Sequence, residues 1–293
     1  MVVLLCAACE FKFRSAEDDE LARPVQVERY DRLESRYLTT GDFSALQQMN
    51  IDYPSETRTL LEKMLRLGEV NDPTLSNKFL MFYQDSVLQS LISDVEAEYA
   101  NMDDINQDLQ SAYERLEEWI PNLRRPMFYA QIGALDQSII VGDKSVGISL
   151  DKYMGEDYPL YLKYYSAAQR QSMTRENIVP DCLSFYLLSL YPINDFEQRP
   201  QIDRDLHMAK MMWVTNQALG RKFYRSRHDT LFHGTQQEGD HLRTAQERGL
   251  HTYEIAHLHN RRLTAPTGRI KPWPGLRESL LPITSKPFSI LAL

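Results

Sequence analysis

The 293-residue sequence has no run of about 18 apolar residues, the length a helix needs to cross the hydrocarbon core of a bilayer. Its three cysteines are too few for a disulfide framework: Cys6 and Cys9 lie at the very start and Cys182 stands alone far downstream. No His-Glu-x-x-His, Gly-x-Ser-x-Gly or P-loop motif occurs, so the common zinc-protease, serine-hydrolase and nucleotide-binding signatures are missing. Positive charge is also in short supply. With 33 Lys and Arg against 41 Asp and Glu, the net charge of -8 disfavours a nucleic-acid partner, which needs a clustered basic surface. No internal repeat is visible, and no linker is long enough to divide residues 24–220.

The charge is unevenly placed. From Gly220 onward basic residues outnumber acidic ones by 12 to 6, and six of the seven histidines fall there. Residues 226–293 also carry Pro266, Pro272, Pro274, Pro282 and Pro287, a density that prevents a continuous helix. A poorly ordered basic tail is expected. A shift of reading frame near codon 228 is one account of it, and a native extension approaching anionic lipid or an acidic partner is the other.

The start, Met1 to Cys9, reads MVVLLCAAC: a short apolar stretch, two alanines, then a cysteine. Small residues before a cysteine suit a signal peptidase that cuts ahead of a lipid-bearing thiol, so Cys9 is the expected lipidation site. Cys6 replaces the usual leucine and no basic segment precedes the apolar stretch. A buried first strand and a Cys-x-x-Cys redox or zinc pair remain as rival readings. Residues 1–23 are then a signal remnant and polar tether, and residues 24–225 a single domain.

Helical signals dominate that domain. Asp72-Pro73 predicts a cap with proline at the first helical position. Asp103 or Asp104 is expected to cap a helix with Ile105, Leu109, Ala112, Tyr113, Leu116 and Ile120 at helical spacing. Leu60, Leu61, Met64 and Leu65 form another stripe ending before Gly68. Arg175–Tyr191 is apolar but interrupted by Pro180, and Ile202–Leu219 is amphipathic and ends at Gly220. Between these runs, residues 127–132 suggest a strand. Residues 138–150 read as a β-hairpin turning at Gly142-Asp143-Lys144. The expected fold is α+β, predominantly α-helical with a small sheet near residues 126–150.

The densest polar cluster lies in and after the hairpin: Asp136, Asp143, Lys144, Asp151, Lys152, Tyr153, Glu156, Asp157 and Tyr158. Carboxylates this close could supply an acid–base pair or ligands for a hard cation, but their spacing fits no calcium loop. Turn preference explains Asp143, and capping of the next helix would explain Asp151. A groove formed by Asp143, Asp151, Tyr153, Asp157 and Tyr158 is the expected partner or ligand contact, since interfaces favour such aromatic and polar mixtures. His207 is solitary, and His257 and His259 lack partners for a metal site. Cys182 reads as a small buried hydrophobe. No catalytic residue, metal or cofactor is expected.

The segment Ile132 to Tyr161, IGALDQSIIVGDKSVGISLDKYMGEDYPLY, resembles the central signature of the GldB family: a hairpin, a Leu-Asp-x-Tyr motif and an aromatic stretch. Val27 to Asp31 (VERYD) and Ile178 to Asp181 (IVPD) resemble its early and later motifs, and the similarity runs from about Val25 to Tyr224. The resemblance implies a lipoprotein of Bacteroidetes-type bacteria, in the outer membrane on its periplasmic or surface face. It also implies a non-enzymatic component of an envelope protein complex linked to gliding or secretion, held to the membrane through its N-terminal lipid. The alternative it implies is a divergent, inactive relative of zinc peptidases, whose metal helix would correspond to residues 177–188; that segment contains no histidine.

Overall fold

Strand-forming residues are concentrated at 127–149, and there the sheet forms. The computed structural model describes residues 24–120 and 123–224. The lipidation site and tether expected at residues 1–23, His257 and His259, and the tail at 226–293 lie outside the described residues. The fold is α+β and mainly helical, as the periodicities predict.

Strands β1 (Val27–Glu28), β2 (Met127–Gln131), β3 (Ile139–Val141) and β4 (Ser145–Ser149) form one mixed sheet in the order β1-β2-β4-β3. The hairpin β3–β4 is antiparallel, pairing Ile139 with Ile148 and Val141 with Val146. β2 instead runs parallel to β4, Met127 opposite Ser145 and Gln131 opposite Ser149, and β1 runs parallel to β2 with Val27 opposite Phe128. Parallel strands are usually covered on both faces, and Phe128–Gln131 and Val146–Ser149 are accordingly buried without alternation. Gly147 is the point of closest approach. A Cβ there would lie 2.5 Å from the buried Tyr129 ring opposite it, so only glycine leaves that ring its place.

The helices are α1 (Tyr30–Thr40), α2 (Phe43–Asp52), α3 (Pro54–Arg58, continuing as a π-helical turn to Met64), α4 (Leu75–Phe82), α5 (Ser86–Glu98), α6 (Asp103–Trp119), α7 (Pro159–Tyr164), α8 (Ala167–Arg170), α9 (Ile178–Leu190) and α10 (Gln201–Leu219). The stripe of α6 is buried as its spacing predicts, with Ile105, Leu109, Ala112, Tyr113 and Leu116 in the core. Gly220 ends α10 in the left-handed conformation, φ 64°, as expected of a C-cap glycine. Pro180 does not interrupt α9, because it lies in the first turn, where amides have no intrahelical acceptor to lose.

Two cap assignments need correction. The side chain of Asn101, not Asp103 or Asp104, accepts from the Asp103 amide at the start of α6 (2.7 Å). Asp104 instead pairs with Arg175 at 2.8 Å. Asp72 does organise the entry to α4, accepting from the Thr74 amide and hydroxyl and from Lys78, but the helix begins at Leu75 rather than Pro73.

One apolar cluster runs from Val25 to Ala218, with Tyr30, Tyr37, Tyr83, Tyr99, Tyr113, Tyr129, Tyr153 and Tyr161 among its largest fully buried members. So many buried phenols need internal hydrogen-bond acceptors, and several of those they find are main-chain carbonyls. Helices α6, α9 and α10 pack together on one side of the sheet, while α1 packs against β2.

Candidate functional site

Because β1, β2 and β4 are parallel, their carboxyl ends at Glu28, Gln131 and Ser149 share one edge of the sheet. The chain leaves that edge as helix α1, as the loop 132–138, and as a 3-10 turn at Leu150–Lys152. Four polar residues meet there: Glu34 of α1, Gln131 at the end of β2, Ser149 at the end of β4, and Asp151 of the turn. All four are buried.

Their acceptors hold the loop. Asp151 Oδ1 accepts from the Gly133 amide (2.8 Å) and Oδ2 from the Leu135 amide (2.5 Å), while Glu34 Oε2 accepts from the Ile132 amide (2.8 Å). The Tyr83 hydroxyl donates to the Ile132 carbonyl (2.7 Å), and Lys152 and Tyr165 both donate to the Leu135 carbonyl. Tyr161 donates to the Asp151 carbonyl and so fixes the turn that presents the carboxylate. Between these ties Ala134 and Leu135 adopt left-handed backbone angles, φ 49° and 64°, which cost residues with a Cβ on the order of 1–3 kcal/mol each. Gly133 has no room for a side chain, since a Cβ would lie 2.8 Å from Ser149 Oγ and 2.9 Å from Met64 Cε.

Burial pushes the Glu34 carboxyl well above the usual carboxylate range. The Ile132 amide works against that rise, and the nearby Asp151 and Asp31 carboxylates add to it. Burial raises Asp151 as well, opposed by its two amide donors. Gln131 donates to Met64 Sδ (3.0 Å) and Ser149 Oγ (3.1 Å), whereas its Oε1 and Glu34 Oε1 are buried without a protein partner. Both carboxyls are closed to solvent. What this arrangement does chemically is hold a strained loop.

The residues expected to form one groove are therefore divided. Asp151 and Tyr153 are buried, Asp143 and Asp157 are exposed, and Tyr158 is half-buried. Asp151 caps no following helix, because both its oxygens turn back to the loop after β2. Tyr153 points inward and donates to Asp181 of α9 (3.0 Å), which also accepts from Tyr224 (3.2 Å). Tyr158 lines a shallow surface hollow of about 280 Å³ with Ser86, Val87, Asp94 and Leu160, and donates to Asp94 at 2.8 Å. Asp157 lies beside it and faces Arg170 at 3.9 Å.

Glu34 escaped the sequence reading. The available signal was its place in the apolar stripe of α1, four residues after Tyr30 and three and four before Tyr37 and Leu38, all fully buried. Helix α9 occupies the position where the resemblance to zinc peptidases would put a metal helix. Among the described residues no three His, Cys, Asp or Glu side chains converge as metal ligands, and Cys182 is a buried free thiol. No described helix is long and apolar enough to cross a membrane.

No curated protein and no solved structure matches the chain. The model of one family does, described as gliding motility protein GldB, over residues 14–236. That span takes in the hairpin, the Asp151 turn, α9 and α10, and passes beyond Tyr224, where the resemblance read from the sequence ends. The chain belongs to the lipoprotein family of the gliding motility protein GldB.

Proposed function

We propose that the protein is a lipid-anchored component of the cell envelope that assembles with other proteins and catalyses no reaction. Membership of a gliding motility family supplies the setting. The observation that carries the non-enzymatic reading is the use made of Asp151: both carboxylate oxygens are held by backbone amides of the chain's own loop. The lipid on Cys9 holds the domain to the outer membrane on its periplasmic or surface face. Partner contacts fall to what remains reachable of the sequence-predicted groove, namely Asp143, Asp157 and Tyr158 with the hollow beside it.

Palmitate labelling with cell fractionation tests the anchor. Wild type is expected to carry label in the membrane fraction, and Cys9→Ala to lose both label and membrane association. Label retained by Cys9→Ala would overturn the assignment. For the assembly role, the size of the detergent-extracted complex is compared between wild type and Asp143→Lys, Asp157→Lys or Tyr158→Ala. A smaller complex at unchanged stability is expected, and an unchanged complex in all three would remove this surface from the partner contact. Zinc retained stoichiometrically by the purified protein after dialysis would revive the alternative of a divergent zinc-peptidase-like hydrolase.

A further inference from the structure

The membrane anchor read at Cys9 gives a second meaning to the end of the domain opposite the carboxylate cluster. The strand register fixes which end that is. Val27 pairs with Phe128 in parallel, so the residues before Val27 enter at the amino end of the sheet, beside Met127. The Val25 amide donates to Gln110 and the Val27 amide to Asn106, so this entering segment runs antiparallel to α6. Tracing the chain back from Val25 therefore leads toward the carboxyl end of α6, at Trp119. Helix α9 ends at the same level. It runs alongside α6 in the same direction, tied by Arg175 to Asp104 near the start of both and by the Tyr113–Tyr186 ring contact further along. Leu190 and Tyr191 are thereby set at about the level of Trp119, and the Tyr186 hydroxyl holds the Arg124 carbonyl in the segment that leads to Met127.

At this end Trp119 is 49% exposed, Tyr191 44%, Leu190 40% and Met127 37%. Exposed Glu118 and Arg124 flank this surface in the chain, Asp143 and exposed Lys144 turn beside Met127, and exposed Asp195, Glu197 and Arg199 follow Tyr191, so the surface is amphipathic with charges of both signs. Tryptophan and tyrosine beside aliphatic residues and long basic side chains is the composition that settles at the headgroup level of a bilayer, with rings and stems in the apolar boundary and polar tips in water. The described chain begins at this end, with Pro24 just ahead of the Val25 amide bonded to Gln110. The 15 residue steps from Cys9 to Pro24 reach roughly 50 Å when fully extended, which holds the domain near the bilayer at high effective concentration. A surface of weak intrinsic affinity is then enough.

We propose that the end formed by Trp119, Met127, Leu190 and Tyr191 rests on the headgroup layer of the membrane that holds the lipid anchor. The carboxyl edge of the sheet, with the 132–135 loop and the Tyr158 hollow, then faces away from the bilayer. This inference rests on the anchor assigned to Cys9.

The test uses the full-length lipidated protein in vesicles of phosphatidylethanolamine and phosphatidylglycerol at a ratio of about 3:1, with some headgroups carrying a nitroxide quencher. A fluorophore is placed on Met127→Cys or Leu190→Cys at the proposed face, and on Met81→Cys, exposed on α4 near the opposite end. Several-fold stronger quenching at positions 127 and 190 than at 81 is the expected result. Equal quenching at all three, with the protein vesicle-bound, would overturn the orientation while leaving the anchor standing. Protein recovered without lipid and free of vesicles would overturn both, and the absent lipid marks the anchor as the point of failure. Two reporters on different elements guard against one of them disturbing the fold.

Discussion

The two ends of the sheet are built on opposite principles. At the carboxyl edge, polar side chains are buried and turned onto the backbone: Asp151 and Glu34 together hold three amides of a loop whose Ala134 and Leu135 are left-handed. At the amino end, large apolar side chains stand exposed around Trp119 and hold nothing. A buried carboxyl is costly unless it is hydrogen-bonded, so the first end shows where stability depends on single polar atoms. The side chains around Trp119 are only partly covered and tie no backbone, so the second end shows where stability depends little on single groups.

Removing the central tie should break this contrast most sharply. Asp151→Ala leaves the Gly133 and Leu135 amides buried without acceptors and frees a strained loop, so a loss of about 3 kcal/mol or more is expected from urea unfolding midpoints. Asp151→Asn keeps one acceptor oxygen but sets an amino group against the second amide, and should lose less. A change below about 0.5 kcal/mol for Asp151→Ala would show that the loop does not depend on its carboxylate.

Gly147→Ala tests the same region through packing. The added Cβ falls 2.5 Å from the Tyr129 ring, which is buried and in contact with Tyr30. Overpacking of this kind costs about 1–3 kcal/mol. Tyr129→Leu in the same chain should return part of the loss, because it removes the ring that the new methyl meets.

These two positions also mark what the sequence could and could not tell. The β3–β4 hairpin, the strand at 127–131, the buried stripe of α6 and the Gly220 stop were all legible, because each rests on local periodicity or a local turn. The parallel pairing of β2 with β4 was not. It joins residues 18 apart by register, such as Met127 with Ser145, and no local pattern announces it. Once that pairing is missed, the partners of Asp151 are missed too, since Gly133 and Leu135 come to it only through the shared edge. Read locally, Asp151 looked like a helix cap and a groove residue. Tyr153 was misplaced for a similar reason: its acceptor, Asp181, lies on α9, 28 residues away. Asp143, Asp157 and Tyr158 stayed within reach of solvent because turn and helix-entry positions rarely fold inward.

A smaller effect, in the opposite direction from ordinary acid denaturation, is expected from Glu34. Its folded carboxyl titrates above that of the unfolded chain because of burial. As pH rises above the unfolded value the unfolded state releases its proton while the folded state keeps it, so stability falls with rising pH until the folded value is reached. This contribution is complete below the unfolded pKa and is lost on the way to the folded one. Asp151 is raised too and acts in the same sense. As pH falls from neutral toward the unfolded carboxylate value the wild type should therefore gain stability from Glu34. Glu34→Gln, neutral at every pH and still able to accept from the Ile132 amide, should flatten that slope and equal or exceed wild type at pH 7. A slope unchanged by the substitution would place the titration elsewhere.

The smallest effect should come from the other end. Trp119→Ser and Leu190→Ser remove side chains that are about half exposed, so each should shift stability by about 0.5 kcal/mol or less in urea unfolding. The near-silence matters because it separates the two ends by mechanism. If these side chains were core residues with a wet edge, truncation would open a cavity and cost several times more. If they serve a surface, the cost appears only when that surface is in place, as a lower unfolding temperature of the vesicle-bound variants relative to bound wild type, with no difference between the proteins in detergent-free solution. Membrane contact that stabilises the folded domain must do so through groups that bind the folded state alone, and Trp119 and Leu190, on separate helices that only folding packs side by side, meet that condition.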